Sequence, residues 1–264
     1  MIAKSVLPLV LGFLAGGLVN YLADVLPRTR RFSQPVCVNC EHEFSWGKYL
    51  LFRACENCGK TRGLRTWLIF FVIVVVSMIV WFSPQSKLGY GLNLILLVYF
   101  GLVFVIDLEF RLILHPTSIF GAILGLGVGW FLHGIKDTLF GGLAGLVIMF
   151  TFYLFGMLFA RIRTKRMKKQ GLETDDEEAL GFGDVILAGI LGLMLGWPVI
   201  WFGLILGILL GGVVTLPMLL AMLVRKSYNE DAWMVFIPYG PFFIISAALI
   251  IFFPKLISYL LPGN

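Results

Sequence analysis

Two aspartates in this chain stand at the ends of long apolar runs. Asp184 lies in Ala179-Leu180-Gly181-Phe182-Gly183-Asp184-Val185, and Asp107 closes a second run in Val105-Ile106-Asp107-Leu108-Glu109. An ionisable side chain at a membrane segment is costly and marks a functional site by default. Brought close together, two carboxylates resist double ionisation and hold one shared proton. The ionised member then takes a proton from water as that water attacks a peptide carbonyl, and the protonated member polarises the carbonyl. Gly181 and Gly183, just ahead of Asp184, carry no Cβ; they allow a sharp turn and the close approach of another helix. The competing explanation is that each aspartate caps a helix N-terminus, where free N–H groups stabilise a carboxylate. Glu109, two residues beyond Asp107, points elsewhere on a helix and reads as interfacial. His115, beside Pro116, reads as a boundary residue, and His133 is assigned no role.

A second chemistry lies in a short polar stretch. Cys37-x-x-Cys40 and Cys55-x-x-Cys58, with fourteen residues between the pairs, contain all four cysteines of the chain. Each CxxC turn offers two thiolates, and two such knuckles complete a tetrahedral shell with no open position, which indicates structural rather than catalytic zinc. About forty residues bury little core of their own, so metal binding takes its place. The four thiolates do not themselves separate zinc from iron, and a colourless tetrahedral zinc site is the one expected. His42 reads as an exposed loop histidine.

Elements that position these groups follow from composition. Of 264 residues, 59% are hydrophobic and only 14% charged, which excludes a soluble domain and implies an all-α polytopic membrane protein. Apolar runs near 5–26, 67–83, 90–106, 117–132, 138–160, 182–197, 198–224 and 235–253 predict about eight transmembrane helices. The sixth and seventh form a tight hairpin at Gly196-Trp197-Pro198, where proline ends the first helix. Residues 1–26 read as a retained first transmembrane helix, 27–66 as a cytoplasmic zinc-ribbon insert, and 67–264 as a seven-helix membrane domain. The net charge of +6 reports topology rather than a nucleic-acid partner. Seventeen Lys and Arg fall in 27–66, 107–116, 161–181 and 225–234, against Lys4, Lys87, Lys136 and Lys255 on the other side. These loops are therefore expected in the cytoplasm, with both termini outside and both aspartates opening on the cytoplasmic face. Within 161–178, the basic block from Arg161 to Lys169 is expected against anionic headgroups, and Asp175 to Glu178 as a solvated linker.

The motifs carry a resemblance. Gly181-Phe182-Gly183-Asp184 with the upstream Asp107 resembles the GxGD aspartic peptidases, and the order of the parts is similar to the bacterial type IV prepilin peptidases. Gly17-Leu18-Val19-Asn20 followed by Leu26-Pro27 looks like their first-helix signature, the CxxC knuckles fall where their ribbon does, and Pro238-Tyr239-Gly240-Pro241 looks like their last-helix motif. The resemblance implies an enzyme of the bacterial inner membrane that cuts the short basic leader of prepilins and pseudopilins after a glycine. It implies N-methylation of the new N-terminus from S-adenosylmethionine, with the ribbon in the region associated with that step. Asp107 and Asp184 match the family's catalytic pair, and no residue is assigned to the S-adenosylmethionine site. Partners expected are prepilin-like substrates and membrane lipid, with no nucleic acid.

The chain departs from the family's pattern in several places. A basic residue is usual near Val25, a lysine is frequent at Ile186 and an aspartate at Thr117; the stretch from Asp107 to Pro116 is longer than usual, and Trp67 through Phe82 contains no acid. These departures bear on methyl transfer, since both carboxylates of the peptidase are present. The alternative from a different class is an ion-coupled transporter using the paired aspartates as a proton or cation site; it predicts acids near the bilayer midplane.

Overall fold

The computed structural model describes residues 2–43, 45–82, 87–169, 181–224 and 238–255. Among these residues there are nine helices and no strand: α1 (Ile2–Thr29), α2 (Trp46–Leu50), α3 (Leu64–Phe82), α4 (Tyr90–Phe110), α5 (His115–His133), α6 (Ile135–Lys169), α7 (Phe182–Leu195), α8 (Val199–Val224) and α9 (Gly240–Phe252). All eight apolar runs form helices, as expected of segments whose backbone groups have no water to bond in lipid. Among the described residues, six of these helices are long and apolar enough to cross a bilayer. The helices α7 and α9, with 14 and 13 residues, fall short. At 1.5 Å per residue α7 covers roughly 21 Å, less than a hydrocarbon core of about 30 Å. The expectation for the acidic block Asp175 to Glu178 lies outside the described residues, as does most of the loop before Pro238.

Two compact units divide the chain, one comprising Met1–Thr117 with Ile251–Asn264 and the other Ser118–Ile250. In the first, α1 packs against α3 and α4 through small and aromatic residues. Phe13 stacks on Phe70 with ring centroids 4.6 Å apart, while Gly12 faces Ser77 and Gly16 faces Phe70. Ser77 Oγ donates to the Pro8 carbonyl at 2.9 Å. Asn20, fully buried in α1, donates to the carbonyls of Gly16 at 2.9 Å and Thr66 at 3.4 Å, tying the helix to the start of α3.

In the second unit α7 lies directly on α6. A Cβ added at Gly141 would overlap the Gly192 carbonyl oxygen, one at Gly192 would overlap that of Gly141, and one at Gly145 would overlap that of Ala188. Only glycine permits this backbone-to-backbone approach, the small-residue mode of packing between membrane helices. The helix ends at Gly196, whose φ of +71° suits glycine alone. Trp197 N–H then bonds to the Asp137 carbonyl at 3.0 Å before α8 begins. Ser246 Oγ of α9 donates to the Gly203 carbonyl of α8 at 2.8 Å.

Candidate catalytic carboxylates and metal centre

Asp107 sits in the last turn of α4, and its carbonyl accepts the Arg111 N–H at 2.9 Å where Arg111 turns into the left-handed region at φ +53°. Its side chain is buried, 4% exposed, and its Oδ2 has no hydrogen-bond partner among the described residues. The capping explanation therefore fails here. A helix C-terminus carries the negative end of the dipole and exposes carbonyls, so it disfavours a carboxylate. A buried, under-bonded acid in that position is costly to the fold, which is what a reactive group looks like.

Asp184 is the third residue of α7, in its first turn, with its N–H bonded to the Gly181 carbonyl at 3.0 Å. The N-cap is Gly181, so Asp184 is not itself the cap, although it lies in the favourable field of the helix start. Gly181 has φ −74° and ψ 138°, ordinary extended backbone, and among the described residues a Cβ there would find its nearest neighbour 4.0 Å away. Asp107 belongs to one compact unit and Asp184 to the other.

The side chains around Glu109 form a network that the sequence reading missed. Glu109 is exposed in the last turn of α4, as an interfacial acid would be, and forms an ion pair with Arg65 Nε of α3. Arg65 Nη1 pairs in turn with Asp24 of α1, whose carboxylate is buried and also accepts the Tyr49 hydroxyl at 2.9 Å. The Arg62 guanidinium lies 3.7 Å over the Tyr49 ring and 4.7 Å over that of Phe52. Burial, reinforced by the Asp24 charge, holds the Tyr49 phenol far above the ordinary tyrosine value. Burial also lowers the Arg62 guanidinium from its usual value. One signal was available: Asp24 is an acid within an apolar run, the same feature that drew attention to Asp107. At Val25, where the family's pattern leads one to expect a basic residue, the side chain is fully buried, and the cation beside Asp24 comes from α3 instead.

The four cysteines are brought together. Their Sγ atoms all lie within 4.8 Å of one another, with Cys37 to Cys58 at 3.7 Å and Cys40 to Cys55 at 3.6 Å. A tetrahedral shell with Zn–S of about 2.3 Å requires sulfurs about 3.8 Å apart, whereas a disulfide requires about 2.05 Å. The two knuckles repeat one backbone pattern. Cys37 N–H bonds to the His42 carbonyl and Glu41 N–H to the Cys37 carbonyl; Cys55 N–H bonds to the Lys60 carbonyl and Gly59 N–H to the Cys55 carbonyl. Glu41 and Gly59, at matching places, both take positive φ, +56° and +67°. The Cys58 N–H, followed by that of Asn57, lowers the Cys55 thiol to about 6, whereas burial pushes Cys37 up to about 11. His42 stays exposed and outside the cluster. The donor set fits a metal ion held by four thiolates.

Comparison with known proteins places these residues in a family context. Residues 94–216 match the type IV leader peptidase family, a segment that includes both Asp107 and Asp184. A prepilin leader peptidase/N-methyltransferase of Myxococcus xanthus (strain DK1622) is 26% identical over 227 residues, covering 80% of this chain. The chain spans 62% of that relative, less than two thirds of its length. No solved structure matches. The resemblance read from the motifs is borne out over the matched segment.

Proposed function

We propose that this chain, a relative of the type IV leader peptidases over residues 94–216, is a membrane aspartic endopeptidase that removes the short basic leader of prepilin-like substrates. The observation that carries this reading is Asp107: a buried acid at the wrong end of a helix for capping, with an under-bonded oxygen, inside the matched segment. In the mechanism, Asp107 and Asp184 share one proton. One carboxylate takes a proton from water as it attacks the scissile carbonyl, and the other donates to the carbonyl oxygen. Proton return to the leaving nitrogen completes hydrolysis without a covalent intermediate. Gly181 and Gly183, without a Cβ, add no side chain beside Asp184. The transporter alternative needs acids near the midplane, whereas these two stand in a last and a first helical turn.

The finer parts of the reading rest on less direct support. The relative's printed name includes N-methyltransferase, and S-adenosylmethionine would supply the methyl group for the new N-terminus. Cys37, Cys40, Cys55 and Cys58 would hold zinc as the fold element of the insert 27–66, between a first helix ending near 26 and the membrane domain 67–264. The excess of basic residues in alternate loops supports a bacterial inner-membrane protein with both termini outside and the carboxylates on the cytoplasmic side. Membrane lipid is a partner and nucleic acid is not.

The test uses purified full-length protein, a prepilin-like peptide and mass spectrometry of the new N-terminus, with and without S-adenosylmethionine. Wild type is expected to cut after a glycine, and Asp107→Asn and Asp184→Asn to lose at least a thousandfold in rate. Variants that cut as well as wild type would overturn the dyad. A methylated product tests the second activity separately.

A further inference from the structure

Arg65 lines two cavities of opposite character in the unit that contains the ribbon. The first is a polar cavity of about 350 Å³ against the ribbon, where Arg53, Lys60, Arg62 and Arg65 face a single acid, Asp24. The second is a groove of about 300 Å³ between α3 and α4, lined by apolar side chains such as Leu68, Val72, Ile73, Phe104 and Val105, with the Arg65–Glu109 pair at one end.

The lining of the first cavity sets four cations against the Asp24 carboxylate and the Cys37 sulfur of the metal cluster. Asp24 is already met by Arg65 and the Tyr49 hydroxyl. Lys60 donates to the Asn39 side-chain oxygen and Arg62 to the Tyr49 carbonyl, both neutral acceptors. Arg65 Nη2 is buried and has no hydrogen-bond partner among the described residues. The cavity thus offers positive charge and an unused donor at its junction with an apolar groove.

The order of the two along the helices is also defined. Arg65 lies in the first turn of α3, and Ile73 is eight residues, about 12 Å, further along the helix. On α4 the lining runs the opposite way, from Glu109 back to Gly101. The charged part therefore sits where the helices emerge toward the ribbon, and the apolar part runs along their membrane-spanning length. A ligand that satisfies both has an anionic head and a hydrocarbon tail.

We propose that this paired site holds one anionic phospholipid, with its phosphate among Arg53, Lys60, Arg62 and Arg65 and an acyl chain along the groove between α3 and α4. Guanidinium and ammonium donors hold phosphate through charge-assisted hydrogen bonds. A basic peptide leader is repelled by the same cations, and a free phosphate makes no use of the groove. The bound lipid bridges the ribbon to the helices that carry Asp24 and Glu109.

The test is native mass spectrometry of the full-length protein in mild detergent, after exchange with phosphatidylglycerol, phosphatidylcholine or inorganic phosphate. Wild type is expected to retain one phosphatidylglycerol per chain and at least tenfold less phosphatidylcholine. The double variant Arg53→Glu/Lys60→Glu, which removes head contacts, and Val72→Trp, which fills the groove, should each lower that retention at least tenfold with the metal content unchanged. Equal retention of the two lipids by wild type overturns the proposal, and that comparison needs no variant to fold. Retention indifferent to Val72→Trp, together with competition by millimolar inorganic phosphate, assigns the cavity to free phosphate and overturns the lipid.

Discussion

Arg65 and Glu109 form an ion pair that joins the first turn of α3 to the last turn of α4, two residues beyond Asp107. On its other side Arg65 holds Asp24 of α1, so one guanidinium fixes the ribbon-side ends of three helices. The planar fork of arginine suits two carboxylates at once, as an ammonium does not. The position of Asp107 is set partly by this contact, because a helix end pinned two residues away resists fraying.

Removing Arg65 leaves Asp24 buried without its cation. Breaking a buried pair costs about 3–5 kcal/mol, and because the Arg65 side chain is one-quarter exposed we expect roughly 2–3 kcal/mol. Thermal unfolding of Arg65→Ala in detergent should show this loss, with Arg65→Lys between it and wild type. An alanine variant as stable as wild type refutes the account.

Asp107 is expected to trade stability for activity. Asparagine at 107 removes a buried carboxylate with an unsatisfied oxygen from the negative end of a helix dipole. Asp107→Asn should melt at or above the wild-type temperature while its cleavage rate falls at least a thousandfold. A variant that is both inactive and markedly less stable points to a structural role instead.

The glycines around α7 should separate into two classes. Gly192→Leu forces the side chain into the Gly141 carbonyl, so it should lower the melting temperature by several degrees and displace the helix that carries Asp184. Gly181→Ala has ordinary φ and no close neighbour among the described residues, so its stability should stay within about 0.5 kcal/mol of wild type. Loss of cleavage in Gly181→Ala at unchanged stability then reports crowding at the approach to Asp184.

Metal removal should act locally. Chelation, or Cys40→Ala, is expected to make residues 27–66 sensitive to protease, because one short helix and a single bridge between Val36 and Glu43 are the regular structure there among the described residues. Helical circular dichroism should stay nearly unchanged. Elemental analysis of the wild type should give one metal ion per chain, and a value near zero in protein purified without chelator contradicts the four-thiolate site.

Tyr49 links the ribbon to Asp24 only while its phenol keeps its proton. Its folded value lies above the ordinary tyrosine value of about 10. The contribution is therefore fully present below pH about 10 and lost as the pH rises above it. Stability measured between pH 8 and 11 should fall in the wild type and fall less steeply in Tyr49→Phe. Parallel curves for the two proteins rule out this titration.

Much of the architecture is legible in the order of residues because it rests on local physics. Apolar runs become helices since lipid leaves the backbone no other partners, and two CxxC turns assemble one cluster since each knuckle closes within six residues. Glu109 illustrates the limit: helical spacing places it away from Asp107, and that is true, but spacing does not say that Arg65, forty-four positions earlier, is waiting there. Asp24 is hard to single out by spacing, because a span of mostly apolar residues conceals a single acid.

The sequence by itself determined the apolar helices, the four-cysteine cluster and the match of residues 94–216, which hold Asp107 and Asp184, to the type IV leader peptidase family. Each of these depends on residue type and short spacing. Tertiary structure alone decided that Asp107 is buried at a helix C-terminus, that Arg65 joins Asp24 to Glu109, and that α6 and α7 meet backbone to backbone at Gly141 and Gly192. Those relations connect positions far apart in the chain, and only packing, in which each buried charge must find a partner and each close approach a missing Cβ, selects which of them meet.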